Sequence, residues 1–318
     1  MRSGRLVDAR TLVVALAVLV LLPIPAAAQL NTQHVKGVFG LKAGSQPPPG
    51  GYVVAPLLYL YNTDTVRNRE GGKLPINADI TAALFGAGYT HVTTKKVLGG
   101  YYGFGLLLAG ANNRIEGTNI DSNPGAGITD SVLTPATLGW HFKRADAQVQ
   151  YTIYVPTGRY TDGAANNTGL GMWGHEVVVG GTTYLTENRQ YHAATAVSFN
   201  FQSKKEDSET TVGNAMNIEG GVGGDFLKGG LTVGLSYYWS LKLTHDHIQG
   251  VPLVLQPGKN RVFGLGPEAT LALARKNTVY GFMTAKYLWE TYARSGTQGT
   301  GFILTASLLT KPLKIQTP

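Results

Sequence analysis

The sequence predicts an all-β fold: an antiparallel transmembrane β-barrel of about 12 strands, preceded by a cleaved signal peptide. Three observations carry that expectation. Glycine is abundant, with 42 among 318 residues, while charged residues make up only 14% and cysteine is absent; soluble domains carry roughly 7% glycine and roughly 25% charge. Much of the chain alternates apolar and polar residues with a period of two, the signature of a two-faced strand. The linkers between these stretches are alternately short and long. Collagen is excluded because the glycines have no period of three. Disorder is excluded by a 43% hydrophobic content and a mean hydropathy of -0.02.

The chain begins with Arg2, Arg5 and Arg10, followed by an apolar run from Leu12 to Leu22, helix-breaking Pro23 and Pro25, and Ala26-Ala27-Ala28. A basic start, a short apolar core and a small-residue cleavage site describe a secretory signal peptide. Eleven apolar residues are too few for the ~20 that span a bilayer. The expected organisation is a signal peptide over 1–28, cut before Gln29, an N-terminal periplasmic segment over 29–50, the barrel over 51–313 and a tail over 314–318. Removing the leader's three arginines and one aspartate takes the net charge from +8 to +6.

Twelve strands follow in order, at 52–62, 77–93, 97–112, 130–142, 146–157, 173–185, 190–202, 213–226, 230–244, 260–274, 277–292 and 298–312. The ninth alternates most cleanly. Leu231, Val233, Leu235, Tyr237, Trp239, Leu241 and Leu243 stand against Thr232, Gly234, Ser236, Tyr238, Ser240 and Lys242. The fifth sets Ala147, Val149, Tyr151 and Ile153 against Gln148, Gln150, Thr152 and Tyr154, and the seventh sets Val197, Phe199 and Phe201 against His192, Ser198 and Asn200. In the eighth, Asn217, Glu219 and Asp225 oppose Met216, Ile218, Val222 and Phe226. The first, fourth and sixth alternate poorly.

Linkers after even-numbered strands are short and polar: Thr94-Lys95-Lys96, Lys143-Arg144-Ala145, Glu187-Asn188-Arg189, Lys228-Gly229 and Arg275-Lys276. Those after odd-numbered strands are generally longer, at 63–76, 113–129, 158–172, 203–212 and 245–259. Short turns on one rim and long loops on the other are how outer-membrane barrels are built, with the short turns periplasmic. An even strand count puts both ends of the barrel on that rim. A soluble sandwich would show a charged outer face and strands of about five or six residues. Here the non-apolar face is Gly, Ser, Thr, Asn and Gln, and the strands run longer.

Several motifs together resemble a known family. Pro135-x-x-Leu138-Gly139-Trp140-His141 precedes Tyr154-Val155-Pro156-Thr157-Gly158-Arg159-Tyr160. Asn167-x-Gly169 with Trp173, Arg261-Val262-Phe263-Gly264-Leu265-Gly266-Pro267, and a final segment from Gly299 to Pro312 follow, and Pro47 to Tyr52 leads into the first strand. Over most of 45–313 the chain resembles the outer-membrane proteins named after the meta-pathway of phenol degradation. The resemblance implies a barrel that admits aromatic or other apolar growth substrates. One departure is the end: barrel chains commonly finish on an aromatic residue, whereas this chain continues through Lys314-Ile315-Gln316-Thr317-Pro318.

Face assignment follows from cost, since a lysine at the lipid midplane costs roughly 2–4 kcal/mol. Lys286 therefore sets the parity of its strand: Thr284, Lys286 and Glu290 face in, and Val279, Met283, Tyr287 and Trp289 face lipid. The candidate substrate-path residues of the lumen are Gln148, Gln150, Tyr154, His192, Glu219, Asp225, Lys242, Glu268, Lys286 and Glu290. Eight strands leave a filled interior and sixteen or more an open channel, so twelve leaves two readings: a narrow polar path, or ions paired across a closed lumen. Tyr101, Tyr102, Tyr237, Trp239, Tyr287, Trp289 and Tyr292 suit the aromatic belts at the headgroups.

Other chemistries are weakly supported. Gly169-x-Gly171-x-x-Gly174 matches a dinucleotide fingerprint, but the strand-like Glu176 to Val179 follows where a helix is required. His245-Asp246-His247 lacks further fixed metal ligands. Ser198 and His192 face the same way but lie ~20 Å apart along a strand, so no nucleophile–base pair forms, and no G-x-S-x-G elbow occurs. The expectation is therefore a monomeric, non-enzymatic barrel in the outer membrane of a Gram-negative-type bacterium, without cofactor or metal, acting as a passive, porin-like channel for transport of small compounds. Its expected partners are outer-membrane lipids, the barrel-assembly machinery and an unidentified small-molecule solute, and no nucleic acid. The competing expectation is a closed structural or binding barrel whose extracellular loops do the recognising.

Overall fold

In the computed structural model, the described residues are 32–117, 120–123, 125–164, 166–248 and 258–314. The signal peptide expected over 1–28 lies outside them, as does the tail beyond Lys314.

Twelve long strands form the wall: β1 (Gly50–Thr63), β2 (Ala78–Val97), β3 (Gly100–Gly117), β4 (Ser131–His141), β5 (Ala145–Val155) and β6 (Gly174–Tyr184), then β7 (Tyr191–Gln202), β8 (Ala215–Phe226), β9 (Leu231–Lys242), β10 (Arg261–Arg275), β11 (Thr278–Arg294) and β12 (Thr300–Lys314). Each pairs antiparallel with its sequence neighbours, and β1 also pairs with β12, from Tyr52 opposite Leu309 to Asn62 opposite Thr300. The sheet is thereby closed, which leaves no unpaired edge to face lipid. On the long-loop side, short strand pieces at 120–122 and 127–128 pair with β3, and those at 66–67 and 296–297 pair with each other as a separate two-stranded sheet.

The alternation puts large apolar groups outside. Phe85, Leu108, Val179, Val222, Leu235, Leu271 and Met283 are exposed on the outer surface. Trp239, Tyr287, Trp289 and Tyr292 lie there too, and the Tyr287 and Trp289 rings meet edge to face at 5.0 Å. The strands that alternate poorly in sequence have local causes. Proline has no N–H to give a ladder, and the register shifts between Val54 and Leu57 around Pro56 in β1, and between Leu133 and Ala136 around Pro135 in β4. In β6 the apolar run hides a clean alternation: Val177 and Val179 face out while Val178 is buried inside.

Three expectations need correction. The first short turn is Leu98-Gly99, not Thr94 to Lys96, which belong to β2. Both turn residues have positive φ (50° and 81°), the geometry of a two-residue hairpin whose twist matches the strands. Val279 is buried within the wall and Tyr280 is exposed in its place, because the register shifts between Val279 and Gly281. Finally, the segment before β1, expected as a periplasmic extension, does not hang below the barrel. Residues 33–46 of it occupy the lumen.

Candidate functional site: a self-occupied lumen

Residues 33–46 descend through the interior from the long-loop end to the short-turn end. Three turns shorten them on the way, closed by Val38 N–H to the Val35 carbonyl, Ala43 N–H to Gly40 and Ser45 N–H to Lys42. Small residues let them pass. A Cβ on Gly44 would lie 2.3 Å from the Gly181 backbone of β6, and one on Gly40 would enter the Glu268 and Lys286 side chains. Gly37 takes φ +79°, and a Cβ there would strike Leu288. The wall makes room with its own glycines: Gly221, Gly223 and Gly234 border the fully buried Leu41.

Lumen-facing charges hold this segment. At the long-loop end the Gln33 side chain donates to the Met172 carbonyl. Below it His34 lies between two carboxylates, Nδ1 at 2.7 Å from Glu176 and Nε2 at 3.0 Å from Glu219. Carboxylates only accept, so the ring donates from both nitrogens and is a cation in this arrangement. Glu219 also accepts the backbone N–H groups of Gly37 (2.7 Å) and Phe39 (2.9 Å). Lys286 donates to the carbonyls of Gly37 (3.1 Å) and Val38 (3.0 Å) and lies 3.4 Å from Glu268. Glu268 in turn accepts the Leu41 N–H and the Ser236 hydroxyl. Towards the short turns, Lys42 pairs with Asp225 at 2.8 Å, Gly44 N–H donates to Thr182, Ser45 to Asp146 and Gln46 to Thr137.

The interior is not uniformly polar. Tyr238, Val262, Leu288, Ala293 and Ile303 form a buried apolar cluster against Tyr59 on the β9–β12 side. At its edge Glu290 accepts from the hydroxyls of Tyr61 (2.7 Å) and Tyr238 (2.8 Å), with Lys36 at 3.7 Å. A second cluster packs Ala43 and Phe39 of the segment against Val178, Ala194 and Ala196.

Most of the path residues expected from sequence meet here. Glu219, Asp225, Glu268, Lys286 and Glu290 contact the segment. Tyr154 donates to Glu176 at 3.1 Å, and His192 is fully buried on the inner face of β7. Gln148 and Gln150 form a ladder with Thr152 on β5. Lys242 sits apart, at the long-loop end, pairing with Asp246 at 2.6 Å.

Sequence reasoning passed over Glu176, Asp146, Tyr61 and Tyr238, and missed His34, Lys36 and Lys42 as lumen groups. Glu176 was findable by parity, since a carboxylate in an otherwise valine-rich strand belongs on the inner face. The cations of the segment had a weaker signal: they are spaced among Gly37, Gly40 and Gly44, and they complement an acidic interior.

The described parts of the long loops pack on one another at the top. Met172 and Val212 are buried together with Leu170 and Ile248 beside them. Asp130 accepts the Gly158 and Leu170 N–H groups, and Lys205 donates to the Leu170 carbonyl with its ammonium 4.7 Å from the Tyr160 ring centre. Burial pushes Lys205 down to about 8, against the pull of Asp130, Asp162 and Asp246. The glycine triplet Gly169, Gly171 and Gly174 lies in this cap and leads into β6. A Cβ on Gly171 would meet the Tyr160 ring. Asp246 of the His245–His247 stretch is taken up by Lys242 and the Gly213 N–H.

A closed, even-stranded antiparallel barrel with an apolar exterior and a polar interior defines an outer-membrane-type β-barrel. The chain belongs to the family described as "Putative MetA-pathway of phenol degradation", which matches residues 63–306. Among solved structures it is similar to an outer membrane channel from Pseudomonas putida F1, with a TM-score of 0.69 at 14% identity, covering 84% of this chain and 98% of that one. Weaker likenesses are to the translocator domain of the autotransporter NalP from Neisseria meningitidis (TM-score 0.47, 10% identity, 83% and 89% covered) and the β domain of the Bordetella autotransporter BrkA (0.45, 13%, 81% and 98%). No protein among curated relatives matches the sequence.

Proposed function

We propose that this protein is an outer-membrane channel for small compounds, shut at rest by its own N-terminal segment. The supporting observation is what fills the lumen. Beside the wall's own apolar cluster on the β9–β12 side, the interior is occupied by residues 33–46, joined to the wall by hydrogen bonds and ion pairs. A space that holds a turned stretch of polypeptide is wide enough for a small solute once that stretch withdraws. The wall itself does not depend on the segment, since every long strand is paired on both sides by other strands. The family and the Pseudomonas putida channel agree with this reading, and the apolar cluster around Leu288 and Ile303 offers a surface for compounds with an apolar body.

Planar-bilayer recording tests it. Wild-type protein is expected to conduct rarely, in brief openings. Gly44→Val, whose side chain has no room beside Gly181, is expected to conduct persistently. A Gly44→Val barrel that folds but stays silent overturns the channel in favour of a closed binding or structural barrel.

A further inference from the structure

The charges on the inner wall are one-sided. Among the described residues, the barrel strands bury the carboxylates of Asp146, Glu176, Glu219, Glu268 and Glu290 against two lysines, Lys286 beside them and Lys242 at the long-loop end, where Asp246 already neutralises it. Asp225 adds a mostly buried carboxylate, 22% exposed, near the short-turn end. Arg189, from the β6–β7 turn, reaches Asp146 at 2.9 Å. The balance comes from the segment, whose His34, Lys36 and Lys42 each sit on a wall carboxylate. The segment thus behaves as a bound cationic ligand, and it shows what the wall recognises: positively charged N–H donors at Glu176, Glu219, Glu290 and Asp225, and neutral N–H donors at Glu219 and Glu268.

A second group is unused by the segment. His192 is fully buried on the inner face of β7, opposite Gly223 of β8, and neither ring nitrogen bonds to the segment. A neutral imidazole has one acceptor nitrogen, so this position can take a further N–H from a ligand in the lumen. Beside Glu290, Tyr59, Leu288 and Ile303 provide an apolar wall.

We infer that the vacated lumen selects small organic cations, amines with an alkyl or aryl body, which take over the carboxylates that His34, Lys36 and Lys42 release. This rests on the channel reading and narrows its solute class. A charged group entering a low-dielectric passage is held by opposite charges along the wall, and like charges there turn anions away. The apolar cluster then covers the uncharged part of the solute. Benzylammonium and benzoate, near-equal in size and opposite in charge, separate this reading from a preference for aromatic compounds as such.

The test uses the Gly44→Val barrel in planar bilayers under a salt gradient, with benzylammonium or benzoate as the permeant ion. Benzylammonium is expected to permeate at least about tenfold better than benzoate, the lower end of what focused charge achieves. Adding Glu219→Gln and Glu268→Gln is expected to bring the ratio close to one. Asp225→Asn gives the same direction if the doubly substituted barrel assembles poorly. Equal permeation, or a preference for benzoate, overturns the inference while leaving the channel intact. If the barrel is silent, the channel reading falls and calorimetry in detergent decides this one. Benzylamine should bind Gly44→Val, and bind more weakly when the two glutamates are neutralised. Absent or charge-independent binding overturns it.

Discussion

At the scale of single residues, Glu219 is the strongest hold on the segment. It accepts from His34, Gly37 and Phe39 at once, from a site only 1% exposed. Hydrogen bonds to a charged group contribute about 1.5–3 kcal/mol each. Glu219→Gln keeps the shape but removes the charge, and its amide presents a donor to an N–H that needs an acceptor. Release of the segment is expected to rise by about 10- to 100-fold, since 1.4 kcal/mol is a factor of ten. Because the native chain has no cysteine, Ala43→Cys supplies a single thiol buried against Val178 and Ala196. Its labelling rate with a water-soluble maleimide should rise by that factor in the Glu219→Gln background. An unchanged rate would mean that Glu219 does not anchor the segment. The inward orientation of Glu219, Glu268 and Lys286 was legible from strand parity and the cost of charge in lipid. What those charges face was not, because their partners lie about 180 to 250 residues away along the chain.

At the scale of elements, strand spans and turn order were readable because period-two alternation is imposed locally by the pleat. Sequence signals failed where a proline or bulge broke the period, as at Pro56, Pro135 and Tyr280, and in β6, where Val178 is apolar on an inner face. Val178 is apolar there because Ala43 and Phe39 pack on it, a contact invisible from within the strand. The loop cap carries its own prediction. Lys205 is held near 8, below the usual lysine value, so between about 8 and 10.5 the folded cap binds fewer protons than the unfolded chain. Its contribution to stability is therefore present at high pH and lost as pH falls through that window. Lys205→Met removes the titration. Relative to wild type, its thermal midpoint in detergent should be higher at pH 7 than at pH 10.5, and a pH-independent difference would contradict the assignment.

At the scale of the whole molecule, wall and occupant are separable. The wall closes through twelve antiparallel ladders, and none of them uses residues 32–46. Deleting those residues is expected to leave the β-type circular dichroism and the heat-dependent gel migration of a folded barrel, with a lower melting midpoint. Five buried carboxylates lose partners while the hydrogen-bonded sheet stays. The same protein should conduct. A synthetic peptide of residues 32–46, added on the side of the short turns or the long loops, should block the current in proportion to its concentration. A deletion variant that fails to form a heat-modifiable barrel would show instead that the segment is needed to build the wall.

The sequence by itself determined the barrel, its strand count and the inward orientation of its charges. Each of these follows from a local rule: alternation along a strand, the geometry of a short turn, and the price of a charge in lipid. The tertiary structure alone decided what those charges do. A carboxylate facing the lumen reads the same whether it lines an open path or grips a polypeptide. Only the route of residues 33–46, set by glycines small enough to pass between Gly181, Leu288 and Lys286, shows that here the lumen charges bind a cationic segment of the same chain.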